Sequence, residues 1–234
     1  MQTIQPKNEK QIVEKMSQSA STAVQVGESR WPAALAVVTA IILQLRLPEN
    51  LSVGPSIVVP AFAAVLLIPL IVLNPRRFTS TSRDLRVVSI VMLGVMNAGN
   101  VTSVALLLRR LLNGSKVDGR TLMLAAVEIW LTSVIIFGLW LWEIDRGGPI
   151  ARARGDLEDP DLLFPQMTDP SLTSTPWTPT FIDYLYVSLT NSTAFSPTDT
   201  LPLRTRTKLL MSVQSLASLA SIAVLGARAV NIIN

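Results

Sequence analysis

The chain has 234 residues, 49% hydrophobic and only 15% charged, where an ordinary soluble domain carries about a quarter charged residues. It has no cysteine and no histidine, which excludes disulfides, thiolate nucleophiles, the usual zinc sites, haem ligation through His or Cys, and His-based triads. The net charge of +4 fits basic cytoplasmic loops of a membrane protein and calls for no nucleic-acid partner.

Residues 1–30 are polar, with Lys7, Lys10 and Lys15 and no apolar core of a signal peptide. Their composition predicts a disordered tail; the alternative is a short interfacial helix with Ile12, Val13 and Met16 on one stripe. Apolar blocks follow whose lengths approach the about 20 residues needed for a helix to cross a bilayer. Trp31 to Leu45 is short and holds Gln44; it spans if Arg46 snorkels and Trp31 anchors the opposite interface. Val53 to Leu73 contains Pro60 and Pro69, read as kinks, and is stopped by Asn74-Pro75-Arg76-Arg77. Val87 to Leu108 carries Asn97 and Asn100 on one face, read as interhelical hydrogen-bond glue. Leu122 to Trp142 contains Glu128, and Leu209 to Ile233 contains Gln214 and Arg228. The chain therefore divides into a tail (1–30), a three-helix membrane region (31–120) and a C-terminal module (121–234).

Between the last two blocks, residues 143–180 are rich in Pro, Asp and Thr, a composition that cannot satisfy its backbone inside lipid and so predicts an ordered loop outside it. The acids Asp156, Glu158, Asp159 and Asp161 lack the spacing of a cation loop and read as a solvated patch. Phe181 to Leu189 is apolar and aromatic but only about ten residues long, which predicts a re-entrant or interfacial helix. A polar turn follows: Thr190-Asn191-Ser192-Thr193-Ala194-Phe195-Ser196-Pro197-Thr198-Asp199. A short helix followed by a hydroxyl-rich extended stretch is how a selectivity filter replaces an ion's hydration shell.

At these residues the layout resembles the two-helix pore module of the pore-loop cation channel superfamily. The resemblance implies an outer helix at Leu122–Trp142, a pore helix at Phe181–Leu189, a filter lined by Asn191, Ser192, Thr193, Ser196, Thr198 and Asp199, and an inner helix at Leu209–Ile233. No glycine occurs between Gly155 and Gly226, so the Gly-Tyr-Gly filter is missing and the usual potassium selectivity is not implied. The runs Trp142 to Pro149, Leu163 to Met167 and Thr190 to Asp199 also resemble an uncharacterised group of actinobacterial polytopic membrane proteins, which implies a multi-pass protein of the bacterial plasma membrane and no particular activity.

Ser212, Ser215, Ser218 and Ser221 recur every third residue; the first three are read as lining of an aqueous path, or as small residues that let helices pack closely. Glu128 is an intramembrane charge with Arg228, Asn97 or Asn100 as expected partner, or a shallow one near Arg120. With five spans, fourteen of the twenty Lys and Arg, from Lys7 to Lys208, share the side of the loop 143–208. The positive-inside rule then puts that loop in the cytoplasm, the inverted arrangement of ionotropic glutamate receptors.

The sequence thus predicts an all-α integral membrane protein with about five transmembrane helices plus one short re-entrant, pore-like helix. Its expected partners are the lipid bilayer, inorganic ions and further copies of itself, a tetramer being favoured because one two-helix module cannot enclose an axis. No cofactor, metal or enzymatic reaction is expected, since no acid, base and nucleophile converge. The alternatives are a non-conducting scaffold or accessory subunit, and a proton-coupled transporter using Glu128.

Overall fold

A computed structural model of the chain describes residues 28–52, 54–73, 83–113, 118–154, 159–173, 177–196 and 199–233. Of the tail predicted at 1–30, residues 1–27 lie outside these, as does the stop Asn74–Arg77, while Glu28 and Arg30 are packed into the fold. The described residues are helical almost throughout: α1 (Trp31–Arg46), α2 (Val58–Leu73), α3 (Arg83–Leu112), α4 (Gly119–Ile144), the short α5 (Pro149–Arg154) and α6 (Pro165–Thr168), α7 (Phe181–Thr193) and α8 (Thr205–Ile233). One two-residue antiparallel ladder pairs β1 (Leu162–Leu163) with β2 (Leu201–Pro202). The all-α class is as expected. Among the described residues, three helices are long and apolar enough to cross a membrane: Leu85–Leu112, Gly119–Gly147 and Thr205–Ala227; Trp31–Arg46 and Val58–Ile68 are shorter apolar helices.

The second block starts as a helix at Val58 and not at Val53. Pro60 therefore falls in the first turn, where its missing N–H removes no intrahelical bond. Asp118 caps α4 by accepting from the Thr121 N–H at 3.2 Å, an arrangement worth about 1 kcal/mol.

Helix α4 is the axis of the fold. It packs against α8, α7, α3 and α1, while α2 lies on α3 and α1. Two apolar clusters hold the bundle. Near the C-terminal end of α4, Leu139, Leu141 and Trp142 meet Ala33 and Val37 of α1, Met92 and Leu93 of α3, and Phe181 and Tyr184 of α7. Near its N-terminal end, Leu122, Ala125, Ala126 and Ile129 meet Val104 and Leu107 of α3 and Val224 of α8.

Between α4 and α5 the backbone turns through Arg146 (φ 52°), Gly147 (78°) and Gly148 (93°). A side chain at Gly148 would sit 2.9 Å from the Glu143 carbonyl oxygen, so the Gly-Gly pair is required for the turn. Pro149 then opens α5, its fixed φ suited to a first helical position.

Candidate functional site

The site is the hairpin made by α7 and the segment after it. Its entry is capped by Thr180 and Asp183: the Asp183 carboxylate accepts from the Thr180 N–H (2.7 Å) and hydroxyl (2.8 Å). From there α7 runs antiparallel along α4. Phe181 stacks edge-on against Trp142 with ring centroids 5.9 Å apart. A turn further in, a side chain at Gly138 would meet the Leu185 Cα at 3.1 Å, so glycine sets the approach of the two backbones. Deeper again, Ser188 Oγ donates to the Val134 carbonyl at 2.7 Å. From Trp142 to Val134 is about 12 Å of helix. The chain then returns to its starting level, where β2 pairs with β1 and Arg206 donates to the Ile144 carbonyl. Relative to α4, α7 runs inward from the capped end and Leu201–Pro202 lies back at that end.

The helix does not end at Leu189 as the sequence suggests; it continues to Thr193. Thr190 and Thr193 bond back to the carbonyls of Tyr186 (3.1 Å) and Leu189 (2.9 Å), which lets hydroxyl residues remain helical. Asn191 and Ser192 are buried against α8 and do not face outward. Asn191 Nδ2 donates to the Met211 carbonyl and to Gln214 Oε1, both at 3.0 Å, and its Oδ1 accepts from Ser215 Oγ at 3.2 Å. Gln214 Nε2 lies within donating distance of the Ser188 carbonyl (2.9 Å) and of the Ser188 and Ser192 hydroxyls (2.6 Å each). Gln214 is wholly buried. The sequence marked it only as a polar residue in a span; in the fold it ties α7 to α8.

Thr193, Ala194, Phe195 and Ser196, at the tip of the hairpin, are exposed, as is Asp199; Thr198 lies outside the described residues. Phe195 has φ 52°, the left-handed conformation that reverses the chain.

The serines of α8 do not share one face. Ser212 is exposed and bonds back to the Lys208 carbonyl (2.8 Å), Ser215 is half-buried on Asn191, and Ser218 is buried. A three-residue repeat drifts about 60° per step around a helix of 3.6 residues per turn. The outward face of α8 is instead apolar: Leu209, Val213, Leu216, Leu219 and Ile222.

Glu128 is paired with Arg46, at the end of α1, at 3.0 Å. Arg228, one of its expected partners, has no described side chain. The Arg46 side chain is 69% exposed and that of Glu128 14%, so the arginine reaches outward while the acid stays in.

A polar cap covers the entry of the hairpin, and sequence reasoning missed it. Glu28, just before α1, accepts from the Trp142 indole N–H (2.8 Å) and the Phe181 backbone N–H, with Arg152 3.9 Å away. Burial raises the Glu28 carboxyl above its usual range. Asp145 is buried and accepts from the Asp161 N–H (2.8 Å) and the Tyr184 hydroxyl (2.6 Å). Arg152 donates to the Trp142 and Asp145 carbonyls at 2.9 and 2.7 Å and lies over the Tyr184 ring, closing the C-terminus of α4. Asp161 is buried, not part of a solvated patch: Arg206 holds it with two bonds of 2.6 and 2.7 Å and Thr207 adds a third. Burial pushes its carboxyl up, but the Arg206 bonds and charge, Thr207 and Arg204 outweigh this and hold it below the usual range. Among the described residues no three acidic side chains group as a metal site. The run Trp142 to Pro149 was the available signal for part of it, since it supplies Trp142, Asp145 and the glycines of the turn, while Glu28, Arg152 and Arg206 come from elsewhere in the chain.

Comparison with protein-family models, with curated proteins and with solved structures finds no match to the chain.

Proposed function

We propose that the chain is one subunit of an ion-conducting membrane pore, assembled as a homo-oligomer, with a cyclic tetramer favoured. The observation that carries this is the re-entrant hairpin: α7 descends beside α4 and leaves Thr193 to Ser196 exposed at its tip. Backbone that is not helical at such depth needs a protein or aqueous lining. The tip offers hydroxyls, and the C-terminal end of α7 adds its last carbonyls and the negative end of its dipole, which together favour a cation. Asp199, near the mouth, would raise its local concentration. The pore so built is cation-permeable and differs from the usual potassium-selective type, with Thr193, Ser196 and Thr198 at the filter and Ser212 and Ser215 below it. Asn191 and Ser192 support the filter from behind.

In this proposal α1 and α2 also cross, giving five spans. Each has 16 residues, about 24 Å, and Trp31 and Arg46 extend α1 to both interfaces. The cap holds Arg30, Arg86, Arg146, Arg152, Arg204 and Arg206, which supports a cytoplasmic cap and a bacterial plasma membrane.

The apolar outward face of α8 favours a second reading, a non-conducting accessory subunit whose hairpin is a structural plug. Ion flux and single-channel recording in liposomes separate the two, with wild type beside Thr193→Val and Ser196→Ala. A conductance changed by either substitution supports the pore. Silent bilayers from folded oligomeric protein, or currents indifferent to both substitutions, overturn it. The proton-coupled reading requires that Glu128→Gln abolish a pH-dependent flux; the Arg46 pair ties that carboxylate up and weighs against it.

A further inference from the structure

In the middle of the bundle, serines and threonines have a default hydrogen bond. Ser103 donates to the Gly99 carbonyl, Thr132 to Glu128 and Ser221 to Ala217, each four residues back, as is usual for a hydroxyl in an apolar helix. Ser133 on α4 and Ser218 on α8 do not. Both are buried, and neither hydroxyl has a hydrogen-bond partner among the described residues. Asn100 on α3 is 1% exposed, and neither its Oδ1 nor its Nδ2 is partnered; Asn97 Oδ1 is likewise buried without a partner.

These residues lie on the same side of one apolar cluster. Val104 and Leu107 of α3, Ala126 and Ile129 of α4, and Val224 of α8 form a single apolar cluster. Asn100 sits about 6 Å along α3 from Val104, Ser133 about 6 Å along α4 from Ile129, and Ser218 about 9 Å along α8 from Val224. All three are displaced toward the capped end of the bundle. The three helices pack on one another, and on each the orphaned group stands on the capped side of that cluster.

An unpartnered amide or hydroxyl in an apolar interior forfeits its hydration outright, and native structures rarely tolerate several together. The groups here include acceptors (Asn97 Oδ1, Asn100 Oδ1), a donor (Asn100 Nδ2) and two hydroxyls that do either. Water both donates and accepts, and bonds to two to four such groups when buried. A bare cation would suit the oxygens but would meet the Asn100 N–H groups with the wrong polarity. We infer that α3, α4 and α8 enclose a hydrated polar layer, a site for a small cluster of water molecules held by Asn97, Asn100, Ser133 and Ser218. Because it lies inside one subunit and contains no carboxylate, it is separate from the hairpin tip and is not a proton carrier by its own groups.

Radiolytic hydroxyl-radical footprinting of the full chain in nanodiscs tests this without reference to conductance. Radicals form from bound water inside a protein, so Met96, wholly buried and one turn from Asn100, should be oxidised at a rate approaching that of the half-buried Met167 of α6. Met211, buried beside a satisfied network, should not. Asn100→Leu with Ser218→Ala should lower Met96 labelling at least several-fold and leave Met167 unchanged. Labelling of Met96 as slow as that of Met211 in the wild type overturns the inference. Thermal unfolding gives a second readout: if the layer is dry, Asn100→Leu removes an orphaned amide and raises Tm, which also overturns it. A Tm that rises in sodium or potassium chloride but not in choline chloride, and only with Asn100 and Ser218 intact, replaces water by a cation.

Discussion

The Glu28 carboxylate, three residues before α1, accepts the indole N–H of Trp142 at 2.8 Å, and its other oxygen accepts the first backbone N–H of α7. One side chain therefore joins the chain entering α1, the end of α4 and the start of α7. Burial raises its carboxyl above the usual value near 4.5, while Trp142, Phe181 and Arg152 pull it down and Asp183 pushes it up. A carboxyl raised in the fold binds its proton more tightly there than in the unfolded chain. Its contribution to stability is complete below the usual value and is lost as pH rises through the raised one. Thermal unfolding should thus show a contribution to Tm that grows as pH falls toward the usual carboxyl value, and Glu28→Gln should remove it. Glu28→Ala should cost about 2 kcal/mol at pH 7, because two buried donors lose their acceptor.

Asp161 should behave with the opposite sign. Its carboxyl is held below the usual value near 3.8, so its contribution is present above that value and disappears as pH falls through the depressed one. Asp161→Asn keeps the shape but removes the charge facing Arg206. The loss should be about 2 kcal/mol, less than for a fully buried pair because Arg206 is half-exposed. Acid titration of the folded signal checks it: the variant should lose less stability than the wild type between pH 4 and pH 2.

That a short helix begins at Phe181 was legible because Phe181 to Leu189 is apolar yet too short to span, a constraint set by bilayer thickness. Its end was not. The Thr190-Asn191-Ser192-Thr193 run looks like a turn by composition, and only α8 turns it into helix by offering Gln214 and Ser215 to Asn191 and Ser192. Such long-range partners leave no trace in local sequence. Asp161 failed for the same reason: it reads as solvated until Arg206, forty-five residues on, is folded against it. The even serine spacing on α8 misled in another way, since a period of three is not the period of a helix. The turn after α4 was the reverse case, because Gly147, Gly148 and Pro149 state their own backbone geometry.

Gln214 should be the residue on which the hairpin depends most. Replacing it by Leu removes one of the two acceptors of Asn191 Nδ2 and the donor to Ser188 and Ser192, leaving polar groups buried between α7 and α8. A loss of about 3 kcal/mol is expected from unsatisfied groups in a coupled network. Asn191→Leu should cost a similar amount. The double variant should cost clearly less than the sum, because each single change already breaks the shared bond. Additive losses in detergent thermal unfolding would show that the two residues act separately.

The pair between Arg46 and Glu128 allows a prediction from asymmetry alone. The two side chains are 3.0 Å apart, but the arginine is mostly exposed and the acid mostly buried. Removing the acid leaves a guanidinium that already reaches the interface along its own apolar stem. Glu128→Ala should therefore cost less than about 1 kcal/mol, as for an exposed pair. Removing the arginine strands a carboxylate part-way into an apolar helix, where an uncompensated charge is far more costly. Arg46→Ala should cost roughly 2 kcal/mol or more, and adding Glu128→Gln to it should restore most of the loss. Thermal unfolding of the three variants measures this; equal losses for the two single changes would mean that the acid, too, reaches the interface by itself.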